Sequence, residues 1–372
     1  MTRGVAVLGS TGSIGVSALN VLRRHQDRFR VVTLTGGSNG GLLGAQVEEF
    51  RPSFAGLVGG APGDPWPSGP ECLIEAATHP DVAIVLNAVV GFAGLDATLA
   101  ALRAGKRVAL ANKESLVTGG ELVLQAAREG GGELVPVDSE HSAVLQCVAA
   151  GSSALTRLVL TASGGPFRAW EPERVARATI AEALNHPTWR MGAKITVDSA
   201  SLVNKALEVI EAHHLFGLPY DRIEVTVHPQ SIVHAFAEFA DGSVLAQLGF
   251  PSMELPILYA LTHPERLPDA GVRRFDPVAI GQLTFEPVRE SAFRAFPLGV
   301  AAGRAGGTAP AVFNAGNEVA VAAFLSGRIP FGRIADVIAK VLEEHRPVAA
   351  DSVETVRAAD RWARCRAKEW IG

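Results

Sequence analysis

Val5-Ala6-Val7-Leu8-Gly9-Ser10-Thr11-Gly12-Ser13-Ile14-Gly15 is the stretch that decides the fold. Its four apolar residues read as a strand that runs into a glycine-rich turn, and residues 16–24 continue with helical period. Glycines let the backbone approach a pyrophosphate, and a helix N-terminus adds N–H donors and a favourable dipole. The spacing is Gly-x-x-Gly-x-x-Gly rather than the commoner Gly-x-Gly-x-x-Gly, so a plain tight turn is the competing reading. Working outward, apolar runs at 31–35, 55–58, 83–88 and 108–111 alternate with helical segments such as 95–104. That alternation predicts an α/β fold beginning with a Rossmann-like, doubly wound parallel sheet, with helices on both faces.

The second strand ends in Thr35-Gly36-Gly37-Ser38-Asn39. An NAD site usually places an acid there, so this small neutral turn favours NADP through absence of repulsion alone. Asn112-Lys113-Glu114-Ser115 follows the fifth run and reads equally as a contact at the nicotinamide end or as a capped helix start. The segment Pro62 to Pro70, with four prolines, reads as a surface connection.

Past residue 140 the pattern changes. Runs at 158–161 and 224–227 read as strands, and 232–238 and 243–248 flank Asp241-Gly242, a hairpin signal. Prolines and charges mark 263–292 as a linker. The tail from 293 is Ala-rich and helical, with Ser352 as an N-cap and Glu354 in the first turn of its last helix. The expected segments are therefore 1–138, a nucleotide-type domain; 139–262, an α+β domain; 263–292, a linker; and 293–372, a helical bundle.

The chain has 372 residues, a formal net charge of −4 and three cysteines without metal-type spacing. No basic footprint for nucleic acid is present, so an anionic ligand must be caught by local groups. Cys72, Cys147 and Cys365 argue against a disulfide framework. Asn87 and Asp96 interrupt the longest apolar run, and no signal or transit pattern opens the chain. These features lead us to expect a cytoplasmic protein that binds no membrane.

Asp138 and Glu140 follow an apolar run, 133–137, that reads as a strand. Residues two apart share a strand face, so both carboxylates are expected to point one way. Like charges that close favour a cation between them, and hard oxygen ligands suit Mg²⁺ or Mn²⁺. Solvated acids opening a turn are the competing reading. Asp198-Ser199 precede a helix expected to begin near Ser201. On it Glu208 neighbours Asn204 and Lys205, either as an exposed ion pair or as a third oxygen ligand beside groups that hold substrate oxygens. Ser163-Gly164-Gly165 exposes backbone N–H groups suited to an anion, or makes an ordinary turn. Residues 185–192, with His186, Trp189 and Met191, are too broken for regular structure and read as a lid or as packing. His141, His228 and His234 read as structural histidines.

Together these stretches resemble the 1-deoxy-D-xylulose 5-phosphate reductoisomerase family of the non-mevalonate (MEP) isoprenoid route. The matching motifs are Gly-Ser-Thr-Gly-Ser-Ile-Gly from Gly9, Ala-Asn-Lys-Glu-Ser from Ala111, Val-Asp-Ser-Glu-His-Ser from Val137 and Ser-Gly-Gly-Pro-Phe from Ser163. They continue through His186-Pro187, Val-Asp-Ser-Ala from Val197, Asn204-Lys205 with Glu208, His-Pro-Gln-Ser-Ile from His228 and Asn-Ala-Gly-Asn-Glu from Asn314. The resemblance implies an NADPH domain, a connective catalytic domain that also makes a homodimer contact, and a C-terminal helical bundle. It implies Asp138, Glu140 and Glu208 as ligands of Mg²⁺ or Mn²⁺, with Co²⁺ a further option. Substrate would be bound by Ser139, Ser163, His186, Trp189, Ser199, Asn204, Lys205 and Glu208, with Lys205, Glu140 and His186 in catalytic roles. Cofactor would be contacted by Gly9, Ser10, Thr11, Gly12, Ser13, Ile14, Gly37, Ser38, Asn39, Asn112, Lys113, Glu114, Gly192 and Met253.

The implied reaction converts 1-deoxy-D-xylulose 5-phosphate to 2-C-methyl-D-erythritol 4-phosphate, by metal-assisted rearrangement, retro-aldol then aldol, and NADPH reduction of the aldehyde formed. Three positions depart from the family pattern: Ser38 stands where a basic residue is usual, Ala206 where glycine is, and Gly316 where alanine is. An ordinary NADP-dependent dehydrogenase with purely structural acids, and a non-catalytic dinucleotide sensor, are the competing functions.

Overall fold

Residues 3–8 form β1 (Arg3–Leu8), and Val5, Ala6, Val7 and Leu8 are all buried, which only a strand covered on both faces allows. The computed structural model describes residues 2–61, 64–149, 151 and 154–372. With β2 (Phe29–Gly36), β3 (Phe54–Leu57), β4 (Ile84–Asn87), β5 (Arg107–Leu110) and β6 (Glu133–Pro136), β1 builds a wholly parallel sheet of order β3-β2-β1-β4-β5-β6. The expected doubly wound sheet is present. Pro62 and Gly63 of the expected connection lie outside the described residues; 64–70 carry no helix or strand.

A second sheet has the order β10-β9-β7-β8-β11, from β7 (Leu155–Ala162), β8 (Ile223–Val227), β9 (Val233–Phe239), β10 (Val244–Leu248) and β11 (Glu286–Pro287). β7 and β8 run parallel and the other pairs antiparallel. The Asp241-Gly242 hairpin is formed, with Gly242 at φ +83° and Asp241 Oδ1 accepting from the Ser243 N–H. Helices Ala295–Ala305, Ala309–Leu325, Arg333–Glu344 and Val353–Ile371 follow.

Compactness divides the chain into two units. The first holds 1–116, 121–142 and 252–273; the second holds 117–120, 143–251 and 274–372. Within the first, Arg24 makes a two-pronged ion pair with Asp269 and a third bond to Glu254, fastening 252–273 to helix Ser13–Arg24. Within the second, Leu158, Leu160, Ala235 and Ala237 of the sheet share one apolar core with helices Val203–Phe216 and Ala309–Leu325. Ala206 faces this core and not a ligand space: a Cβ on Gly299 would lie 2.6 Å from the Ala206 methyl. The extra methyl is accommodated by a glycine on the facing helix.

Candidate active site

In the first unit, chain order reverses between β1 and β4, the switch point at which open α/β sheets bind ligands beyond their carboxyl ends. The loop from Gly9 lies there. Gly9 has φ +78°, and a Cβ on it would stand 2.6 Å from the Ala88 carbonyl oxygen after β4. A Cβ on Gly15 would meet the Gly9 oxygen at 2.3 Å, so the third glycine permits close packing of helix on strand. Gly12 is the N-cap of helix Ser13–Arg24 and no side chain caps its first N–H groups, which suits a pyrophosphate. Ser10 does not offer its hydroxyl outward. It donates to Gln46 Oε1 (2.7 Å), while Gln46 Nε2 returns a bond to the Ser10 carbonyl (2.9 Å). Gln46 thus braces the loop from helix Gly40–Phe50, a role the sequence did not mark.

Asn39 Oδ1 accepts from the Leu42 N–H and caps that same helix, and Gly37, Ser38 and Asn39 are all exposed. Asn112 is also an N-cap. Its oxygen accepts from the Ser115 N–H (3.0 Å), and its amide donates to the carbonyls of Val89 (2.7 Å) and Gly91 (2.9 Å). The capped-start reading of this turn holds, and the residue shapes the loop after β4. That loop, 88–91, was not singled out in the sequence because a short apolar run ending in glycine looks like any strand exit.

Asp138 and Glu140 do not share a strand face as expected. β6 ends at Pro136, and helix Ser139–Val148 begins at once, with the Asp138 carbonyl accepting from Ser142 and its Oδ1 from the Ser139 N–H (3.0 Å). Asp138 acts as N-cap and Glu140 sits in the first turn, where carboxylates meet the positive end of the helix dipole. Lys113, expected to contact the cofactor, places its ammonium on Asp138 Oδ2. Ser139 donates its hydroxyl to Glu140 Oε2.

In the second unit, β7 leads into Ser163-Gly164-Gly165, with both glycines at positive φ. A Cβ on Gly165 would lie 2.9 Å from the Ser199 carbonyl, so this turn approaches the end of helix Ala193–Ala200 closely. His186 Nε2 lies 3.0 Å from Ser163 Oγ and 3.1 Å from Ser199 Oγ. Its Nδ1 accepts from the N–H groups of Thr188 (3.1 Å) and Trp189 (2.9 Å), which leaves the ring proton on Nε2. Burial pushes the His186 pKa down to about 4. The imidazole therefore stands neutral as a donor between two hydroxyls. Residues 185–192 form no helix or strand, and Trp189 and Met191 are half-buried in that segment.

Asp198 and Ser199 do precede the amphipathic helix, which runs Val203–Phe216, but they lie in a short helix of their own, Ala193–Ala200, with Leu202 at the junction. Leu202 adopts a left-handed conformation (φ +58°, ψ 13°) that costs a branched residue about 1–3 kcal/mol, and its side chain is buried, which offsets the strain. Glu208 is 1% exposed; Asn204 Nδ2 donates to its Oε1 (2.5 Å) and Lys205 Nζ to its Oε2. Lys205 also donates to the Thr161 carbonyl of β7 (2.5 Å). The exposed-pair reading is excluded.

Family models for 1-deoxy-D-xylulose 5-phosphate reductoisomerase match residues 5–60 and 66–120, and models of its C-terminal domains match 134–216 and 248–366. The protein of that name from Citrifermentans bemidjiense is 50% identical over 382 residues, covering 100% of this chain and 99% of its own. The chain belongs to the 1-deoxy-D-xylulose 5-phosphate reductoisomerase family. The Synechococcus member is 51% identical over 97% of this chain and 95% of its own. A solved reductoisomerase in complex with NADPH, fosmidomycin and magnesium superposes with TM-score 0.94 at 39% identity, over 99% of this chain and 98% of that one. The Zymomonas mobilis enzyme in complex with NADPH gives 0.91 at 40% identity, over 100% of this chain and 99% of that one.

Proposed function

We propose that this chain converts 1-deoxy-D-xylulose 5-phosphate to 2-C-methyl-D-erythritol 4-phosphate, as an NADPH- and divalent-metal-dependent reductoisomerase. Family membership along the whole chain supports this reading. The observation that carries it is the second unit's pairing of an anion subsite, Ser163, His186 and Ser199, with a buried carboxylate set, Glu208 held by Lys205 and Asn204.

The loop Gly9 to Ile14, with Gly37 to Asn39, receives NADPH, and Asn112, Lys113, Glu114, Gly192 and Met253 are the further residues we assign to the cofactor, Met253 to its nicotinamide. The uncapped helix start at Gly12 fits such an anion. Asp138, Glu140 and Glu208 are the ligands we assign to the metal, an all-oxygen set suited to Mg²⁺ or Mn²⁺. Bound there, the ion supplies Lewis acidity toward the substrate's carbonyl and hydroxyl oxygens, and NADPH supplies reducing equivalents.

The protein's own groups do the rest. Ser163, Ser199 and the His186 Nε2–H donate to the substrate phosphate, giving remote binding energy. Ser139, Asn204 and Lys205 orient the substrate's other oxygens, and Lys205 balances the charge of Glu208. The segment from His186 to Met191 closes over the substrate with Trp189 as its cover, excluding water.

The division of labour is 1–138 for cofactor, 139–262 for catalysis, 263–292 as connection and 293–372 as support. The chain works as a homodimer through its second sheet, whose edge strand β10 exposes Val244 and Leu245. Its compartment is the cytoplasm, which suits three free cysteines. Loss of reduced-nicotinamide absorbance on mixing with substrate and metal tests the activity; no loss at saturation refutes it.

A further inference from the structure

We infer that Asn317 is a positioning residue of the phosphate subsite, acting through Asp198 on Ser199; this rests on the function proposed above. Asn317 lies wholly buried in helix Ala309–Leu325, 119 residues from Asp198 in the chain, and its Nδ2 donates to Asp198 Oδ1 at 2.8 Å. Asp198 is itself fully buried in helix Ala193–Ala200, with its Oδ2 3.0 Å from Lys194 Nζ. The Asn317 Oδ1 is buried and meets no donor among the described residues, so contact with the carboxylate alone fixes which way the amide faces.

Helix Ala309–Leu325 is a firm base for that contact. Asn314 donates to Glu318 (3.0 Å), and Arg364 of the last helix joins Glu318 (2.7 Å) to Asp360 (2.7 and 2.9 Å). The contact therefore refers the site helix to a rigid element far along the chain. Ser199 is the next residue after Asp198, and its hydroxyl completes the pair of serines around His186 Nε2. Removing the donor leaves a buried carboxylate short of a hydrogen bond, and the helix must turn or shift to hydrate it. Such a shift moves Ser199 away from Ser163, which is held by β7.

Asn317→Leu keeps the branched shape without the donor, and Asp198→Asn keeps the shape without the charge. Steady-state kinetics of the full chain with 1-deoxy-D-xylulose 5-phosphate is expected to show KM for that substrate raised about tenfold in either variant. KM for NADPH should be unchanged and kcat altered less than about threefold. A purely structural role would lower the melting temperature and leave the substrate KM in place; that result overturns the inference, as does a parallel rise in both KM values. If Asn317→Leu does not fold, Asp198→Asn decides, and failure of both to fold assigns the contact to folding and overturns the inference. Should the wild type not turn over this substrate, the functional reading fails separately. Calorimetric binding of inorganic phosphate then decides: affinity weakened about tenfold in the variant supports the positioning role, and equal affinity overturns it.

Discussion

Glu208 illustrates what single residues settle. Its spacing from Asn204 and Lys205 was readable as a helical neighbourhood, but the same spacing describes an exposed ion pair. Only burial separates the two, and burial comes from the second unit's core, which no local pattern displays. Glu208→Gln keeps the size and removes the charge. Turnover should fall by roughly 10²-fold or more while NADPH affinity, read by fluorescence titration, stays as in wild type; an unimpaired rate would remove Glu208 from the metal set. His186 makes a second case. Its folded-state pKa, about 4, lies below the ordinary 6.5, so the unfolded chain binds more protons between those values. The stability this group contributes is complete above pH 6.5 and is lost as pH falls toward 4. Urea midpoints measured across that window should fall more steeply for wild type than for His186→Gln, and parallel profiles would contradict the neutral-donor assignment.

Elements were legible wherever one rule governs them. The six parallel strands, the Asp241-Gly242 hairpin and the Ser352 cap, which accepts from the Thr355 N–H at 3.2 Å, follow from apolar period and turn chemistry. Junctions were not legible. Asp138 and Glu140 lie where strand gives way to helix without a linker, so the strand period was extended one turn too far. Leu202 separates the short helix Ala193–Ala200, which the sequence did not announce, from Val203–Phe216 by adopting a conformation its residue type disfavours, which only tertiary packing sustains. Gly316 is a departure with a simple reading: a Cβ there would find Ile338 Cα at 3.8 Å and Val341 Cβ at 3.9 Å, ordinary contacts. Gly316→Ala in this buried helix should therefore stabilise the fold by about 0.5–1 kcal/mol. Thermal unfolding that shows a lower midpoint would mean the pocket lacks that space.

At the scale of the whole molecule, the sequence announced a nucleotide domain, a catalytic domain and a helical bundle. Contacts group the last two in one unit, because helix Ala309–Leu325 packs into the same core as the second sheet. Residues 252–273 join the first unit through Arg24, a pairing across more than 200 residues that periodicity cannot reveal. The proposed dimer makes a prediction here: Leu245→Lys on the edge strand should shift the sedimenting species from dimer toward monomer, and a wild-type monomer at all concentrations would refute that assembly.

The proposed reaction depends above all on a divalent ion held by Asp138, Glu140 and Glu208. NADPH oxidation by the full chain with 1-deoxy-D-xylulose 5-phosphate, followed after exhaustive chelation and again after adding back Mg²⁺ or Mn²⁺, tests this most directly. Oxidation should stop on chelation and return with either ion. Undiminished oxidation in the metal-free protein would leave Asp138, Glu140 and Glu208 as structural acids and contradict the central claim.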